Sequence, residues 1–369
     1  MGSPPDEVRR GVLEAQRAVT IRGASYLART PVTQAQFADV TGENPTAYPE
    51  AGEEAPADSV SWDRARDFCA RLTERDREAG VLPADWEYRL PPEALWEYAC
   101  RAGSTEARYG EASEIAWFGE PAARSPQPVA QKAPNAWGFH DTLGNLWEWC
   151  AEWFLPEYSP ENAIWIPSEE PADHAKRSLR GGSWYNSEHG CRAAMREAFH
   201  PSFGARYVGF RLFAAPVSGL DIEVEVRERS PDDPKTTPLQ DLYETARTGD
   251  IETARALLSA DPSLADAHDE IPPVLHWAVI HNQPELLGIL LDHGADPERL
   301  DQDEEATALS YAVIYSHPEI VELLVRRGAN SDGMLDRAKR GADGEFDVYG
   351  MSPEQYVPIV ALLERLGVD

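Results

Sequence analysis

The sequence predicts a chain of two unlike parts: a mixed helix-and-strand domain rich in irregular loops, then an all-helical stack of short repeats. Three observations carry this. At 369 residues the chain exceeds the roughly 250–300 residues at which a single core stops growing. The stretch from Asn135 to Trp153 concentrates tryptophans, glycines and acids without the period of a helix or a strand, as expected of tight loops pinned by aromatic burial. Beyond residue 238 a motif recurs on Glu252, Glu285 and Glu319, roughly 33 residues apart.

The elements of the first part follow in order. Residues 1–18 form an N-terminal segment without the apolar run of a signal peptide, and no window approaches the roughly 20 apolar residues of a membrane span. Residues 19 to about 30 alternate enough to form a strand. Thr33 is placed to cap a short helix through Val40, which Asn44-Pro45 ends. Ser61 is the N-cap of a second helix, with Ala65, Phe68, Cys69 and Leu72 on one face at three- and four-residue spacing. Around Pro91-Pro92 a third helix starts, its apolar residues Leu95, Tyr98 and Ala99 facing inward and Gly103 stopping it. Residues 216–237 are polar, charged and proline-rich, the signature of a linker.

Composition excludes some partners. A formal charge of −30, from 64 acids against 34 bases, repels nucleic acid and anionic membrane alike. Only four bases are lysine, at 132, 176, 235 and 339, a bias that fits a GC-rich genome. Cys69, Cys100, Cys150 and Cys191 are far apart, with no Cys-x-x-Cys pair, so neither a zinc ribbon nor a thioredoxin-type motif is expected. Reduced thiols in a cytoplasmic chain are the expectation.

Six segments occur in a telling order: Pro31-Val-Thr-Gln-Ala-Gln-Phe37, Val60-Ser-Trp-Asp-Arg-Ala65, Arg89-Leu-Pro-Pro-Glu-Ala-Leu-Trp-Glu-Tyr98, Gly138 to Trp149, Arg180-Gly-Gly-Ser-Trp184 and Gly209-Phe-Arg211. Residues 19–215, which hold them, resemble the formylglycine-generating enzymes, or sulfatase-modifying factors. The resemblance implies an α+β domain of low regular content related to C-type lectins, with a groove formed by the late loops.

That family oxidises a substrate cysteine at copper(I) held by two cysteines just after the Arg-Gly-Gly-Ser segment. Counted from Arg180, the first falls on Asn186 and the second on Cys191. With one thiolate replaced by an amide, copper is not expected, because copper(I) prefers soft thiolates. Cys191 and Ser183 remain the candidate catalytic residues. The family's disulfides are not expected either, since the partners of Cys69 and Cys100 fall on Leu212 and Ala193. Cys150 and Cys191 belong to loops expected to meet, either as neighbouring buried thiols or as a redox-active pair. The resemblance also implies a calcium site on the Asp141 and Glu148 side chains and the Gly144 and Leu146 carbonyls, hard oxygens from one tight loop as calcium requires. The ion-free alternative is that Glu148 accepts backbone hydrogen bonds and Asp141 caps the loop.

In the second part, Gly249-Asp-Ile-Glu252, Gln283-Pro-Glu285 and His317-Pro-Glu319 each open an apolar helical run, preceded by Leu275-His-Trp-Ala278 or Leu309-Ser-Tyr-Ala312 in the later copies. Residues 238–369 resemble ankyrin repeats: two short antiparallel helices per repeat, each covering its neighbour's apolar face. Leu242 to Leu258 is the expected first repeat, Pro353 to Leu366 a divergent cap, and Asp332 to Gly350 an insertion loop. The resemblance implies a protein partner, with Trp277, Tyr311 and Tyr315 as expected contacts.

Three functional classes follow. One is an adaptor whose groove holds a peptide or small ligand while the repeats recruit a protein. A second is an oxidoreductase of the resembled family acting on a protein cysteine. The third, a receptor displaying variable residues, lacks the asparagine-rich loop such display requires.

Overall fold

The computed structural model describes residues 1–4, 7, 14, 16–119, 125–154, 176–225, 237–267, 273–300, 306–343 and 353–368. They fall into two compact units, Met1–Pro234 and Lys235–Asp369. Half of the expected linker, residues 226–236, lies outside the described residues.

In the first unit the expected strand splits into β1 (Ala18–Arg22) and β2 (Tyr26–Leu27). Helix α1 (Gln34–Thr41) starts where Thr33 and Gln36 form a reciprocal capping box; Gly42 in the left-handed region ends it, ahead of the expected Asn44-Pro45 stop. Ser61 caps α2 (Trp62–Glu78), which buries Ala65, Phe68, Cys69 and Leu72 as predicted. Strand β3 (Trp86–Arg89) leads to α3 (Glu93–Arg101). There Leu95 and Ala99 are buried, but Tyr98 is 58% exposed, and Ala102 rather than Gly103 takes the left-handed cap position.

The late strands explain why periodicity failed between Asn135 and Trp153. Strand β4 (Trp147–Trp153) is buried at every residue, so neither face alternates with solvent. It pairs with β5 (Arg177–Arg180), which pairs with β6 (Arg196–Phe199); β7 (Val208–Gly209) runs parallel on the other side of β4, giving the order β6-β5-β4-β7. A second sheet places β8 (Phe213–Pro216) between β2 and β3. Residues 221–225, read as linker from their polarity, form β9 (Asp221–Glu225), antiparallel to β1 with Ile21 opposite Ile222. Ile222 is 2% exposed, so alternation was present in a strand too short and too acidic to read.

The N-terminal segment belongs to this unit too. The Gly2 amide donates to Glu97, and Arg192 pairs with Glu7 and Glu14.

Among its described residues the second unit contains four successive helix pairs: Pro238–Thr248 with Ile251–Ala260, Val274–Ile280 with Pro284–Asp292, Ala308–Ile314 with Pro318–Arg326, and Met334–Ala342 with Pro353–Leu366. Part of the expected insertion loop is therefore the first helix of the last pair. Its charged residues Asp336, Arg337, Lys339 and Arg340 hide a narrow apolar stripe at Met334 and Ala338, which are buried.

Candidate functional site

The first unit's loops close around one glycine. Gly144 has φ +74°, and a Cβ there would lie 2.3 Å from the Trp117 carbonyl oxygen. Its backbone bridges Trp117, and its amide donates to the Gly181 carbonyl. Any larger residue would push these three segments apart.

Beside this junction stands Glu148, at the start of β4. Arg211 donates to both of its carboxylate oxygens at 2.6 Å, and the Trp96 indole donates to Oε2 at 2.6 Å. Arg211 further donates to the Ala28 and His140 carbonyls. All three side chains are essentially buried. Asp141, in the left-handed region at φ 53°, accepts from the Ala130 amide at 2.7 Å, and burial pushes its carboxyl above the usual range. A calcium ion needs several oxygens free to face it. Here Asp141, Gly144, Leu146 and Glu148 share one loop as expected, but both oxygens of Glu148 are taken by a cation and an indole. The residues present do not fit the ion.

The Ser183 segment is equally occupied. Both the amide and the hydroxyl of Ser183 donate to Asn186 Oδ1, at 3.0 and 2.8 Å, and Ser183 Oγ accepts from the Tyr185 amide. The residue is fully buried, and these bonds close the 183–186 turn. Cys191 lies directly behind it: a Cβ on Gly182 would meet Cys191 Sγ at 2.8 Å. Cys191 shares an apolar cluster with Cys100, Cys150, Trp96 and Leu143, and all four cysteines are free and buried. Burial, opposed in part by Arg108, pushes the Cys191 thiol up to about 12. The nucleophile and metal ligand is the thiolate, and this environment holds the thiol. With the Asn186 amide oxygen already bonded twice, the donor set does not fit copper(I).

Sequence reasoning missed a buried ion-pair network under α3. Arg196 donates to both oxygens of Glu93 at 2.6 and 3.0 Å. Arg180 contacts Glu97 and lies 3.4 Å from Glu93; Arg101 bonds Glu97 at 2.8 Å. Burial raises both glutamates, and the arginines more than offset it, holding them below the usual range. Glu152 makes no ion pair among the described residues. It accepts from the Glu93 amide at 2.8 Å, and burial, then the neighbouring Glu93 charge, pushes it up to about 8. The signal was available in outline: Glu93 and Glu97 are one helical turn apart among apolar residues, a spacing that puts both on an inward face.

Around the junction the unit presents adaptable groups. Lys132 lies 4.0 Å over the Trp117 ring, Asn145 clamps the Gln127 backbone through both ends of its amide, and Trp137, 47% exposed, meets Tyr98 edge-on at 4.8 Å. A Cβ on Gly119 would lie 3.6 Å from the Asn186 carbonyl oxygen, so the loops carrying Trp117, Gly144 and Asn186 converge.

In the repeats, Trp277, Tyr311 and Tyr315, expected to face a partner, are 6%, 5% and 2% exposed. Trp277 packs against Tyr243 and His281, and Tyr311 against His276 and Tyr315. Large rings between successive helix pairs fill the stack itself, which corrects the expectation. No helix among the described residues is long and apolar enough to cross a membrane.

Comparison with known proteins agrees with this division. The model of the sulfatase-modifying factor enzyme 1-like domain matches residues 1–216, and that of ankyrin repeats in three copies matches residues 242–333. The formylglycine-generating enzyme of Streptomyces coelicolor is 31% identical over 231 residues, covering 57% of this chain and 65% of that protein. The chain thus spans less than two thirds of that relative's length. Chaperone protein LppX of Paenibacillus barcinonensis is 27% identical over 209 residues, covering 44% of this chain and 70% of its own. The solved structure of PvdO from Pseudomonas aeruginosa superposes with a TM-score of 0.50 at 24% identity, covering 58% of this chain and 90% of that one; it shows a shared fold.

Proposed function

Because the chain belongs to the sulfatase-modifying factor enzyme 1-like family through residues 1–216, and carries ankyrin repeats behind that domain, we propose that it is a binding adaptor. The first unit holds a peptide or small ligand where the loops of Trp117, Gly144 and Asn186 converge, and the repeats bind a protein. One observation carries the reading: at the place of the family's thiolate pair stand a buried Cys191 thiol and an Asn186 amide committed to Ser183. A relative named as a chaperone supports a use of this fold in binding.

The second reading is an oxidoreductase acting on a protein cysteine, favoured by the relative named a formylglycine-generating enzyme, with Cys191 and Ser183 as its catalytic groups. Oxygen uptake by the purified, reduced protein, supplied with copper(I) and a cysteine-containing peptide, separates the two. The adaptor reading expects no peptide-dependent uptake. Uptake that Cys191→Ser abolishes would overturn it and establish the enzyme.

A further inference from the structure

In the second and third pairs the two helices differ in burial. The first helices, Val274–Ile280 and Ala308–Ile314, are buried at every position but Ile280, which is half-buried. The second helices bury only their inner stripes, Ala254 and Leu258 in Ile251–Ala260 and Ile320, Val321 and Leu324 in Pro318–Arg326. Between these second helices runs a trough of about 430 Å³.

Gly288, Ile289 and Leu323 line it together with four acids, Glu285, Glu319 and Glu322 among them, and two arginines. Gly288 is the unusual feature. Glycine within a helix costs about 1 kcal/mol relative to alanine, and the fold does not ask for it here: a Cβ on Gly288 would find its nearest neighbour, Leu323 Cδ2, at an ordinary 3.9 Å. The missing side chain leaves a notch that packing alone would have filled, and the notch opens to solvent beside Ile289 and Leu323.

Charge says what fits. Glu285 pairs with Arg255 at 3.1 Å and Glu322 with Arg326 at 2.5 Å, with side chains one-third or more exposed, so these contacts are weak and exchangeable. Glu319 makes no ion pair among the described residues. Residues 238–369 hold 26 acids and nine bases, and such a surface draws cationic segments toward it.

We propose that this trough is a docking groove for a basic amphipathic segment of a partner protein, which seats one apolar side chain in the Gly288 notch and sets lysines or arginines against Glu285, Glu319 and Glu322. The inference deepens the adaptor reading and rests on it. It places the partner on the second helices.

The test uses the full chain and a synthetic peptide of repeated Lys-Lys-Leu-Ala units bearing a photo-crosslinker, with its Glu-for-Lys counterpart as control. Saturable binding of the basic peptide alone is expected, with crosslinks on Pro284–Asp292 and Pro318–Arg326. Gly288→Leu fills the notch without changing charge and should weaken binding about tenfold or more. Glu319→Gln should weaken it less and lower its salt dependence. Gly288→Ala, expected to raise Tm, checks that the glycine is not needed for folding. Unchanged binding by a folded Gly288→Leu variant, equal binding of the acidic peptide, or no binding overturns the groove. Crosslinks elsewhere on the repeats would overturn the groove while leaving the adaptor reading intact; crosslinks confined to the first unit would sink both.

Discussion

The two units solve the same problem by opposite means. The first, besides exposed pairs such as Arg22–Asp221, buries a set of charges: Arg180, Arg196 and Arg211 sit essentially inaccessible against Glu93, Glu97 and Glu148. The second keeps its ion pairs at the surface, where Arg255–Glu285 and Arg327–Asp292 have side chains between one-third and two-thirds exposed, and fills its interior with repeated leucines and rings. Irregular loops cannot satisfy their carbonyls in regular ladders, so long arginines reach in and do it: Arg211 alone bonds the Ala28 and His140 carbonyls besides Glu148. A periodic stack satisfies its backbone within helices and needs only complementary apolar faces. Stability in the first unit therefore hangs on a few polar side chains, and in the second it is spread over many small contacts.

The largest effect that would break this contrast is at Arg211. Truncation to alanine strands Glu148 in an apolar interior, and removing one partner of a buried pair costs about 3–5 kcal/mol. Denaturant unfolding of Arg211→Ala should show such a loss in the first unit's transition, and a loss under about 1 kcal/mol would mean its charges are as dispensable as surface ones.

A middle-sized effect sharpens the contrast by pH. Burial, then the neighbouring Glu93 charge, raises the Glu152 carboxyl from its ordinary 4.5 to about 8, so the folded state keeps a proton that the unfolded chain has released. That contribution is fully present below about 4.5 and declines as pH rises toward about 8. Glu152→Gln keeps an acceptor for the Glu93 amide and removes the titration. Its melting temperature should fall less than that of the parent between those limits, and parallel profiles would show that Glu152 does not titrate as its surroundings dictate.

The smallest effect is expected in the repeats. Arg255→Ala removes an exposed pair with Glu285 and should change stability by about 0.2–1 kcal/mol, a shift of about 1–4 °C in Tm for a unit of this size. A larger loss would mean that the second unit too leans on its charges.

The same contrast governs how much could be read from the sequence. The repeats were legible because Glu252, Glu285 and Glu319 open copies of one apolar pattern, and caps at Thr33 and Ser61 were legible because capping is local chemistry. Trp277, Tyr311 and Tyr315 were misplaced because a ring suits a partner surface and a stack interior equally well. In the first unit the order of landmarks gave the family, and Arg180 and Arg211 lay within them. Their partners did not follow: Arg211 meets Glu148 from 63 positions away, a distance no spacing rule spans. The calcium expectation likewise counted the oxygens of one loop without the guanidinium that bonds those of Glu148.

The pairing of β1 with β9 has a further consequence, for the order in which the protein comes into being. Ile21 cannot find Ile222 until nearly the whole first unit has left the ribosome, so its two-stranded sheet closes last however early the other parts collapse. Such long-range closure is slow, and the open intermediate exposes unpaired strand edges. The repeats, made of neighbours in sequence, can fold pair by pair as they emerge. Synthesised second, they need not finish second.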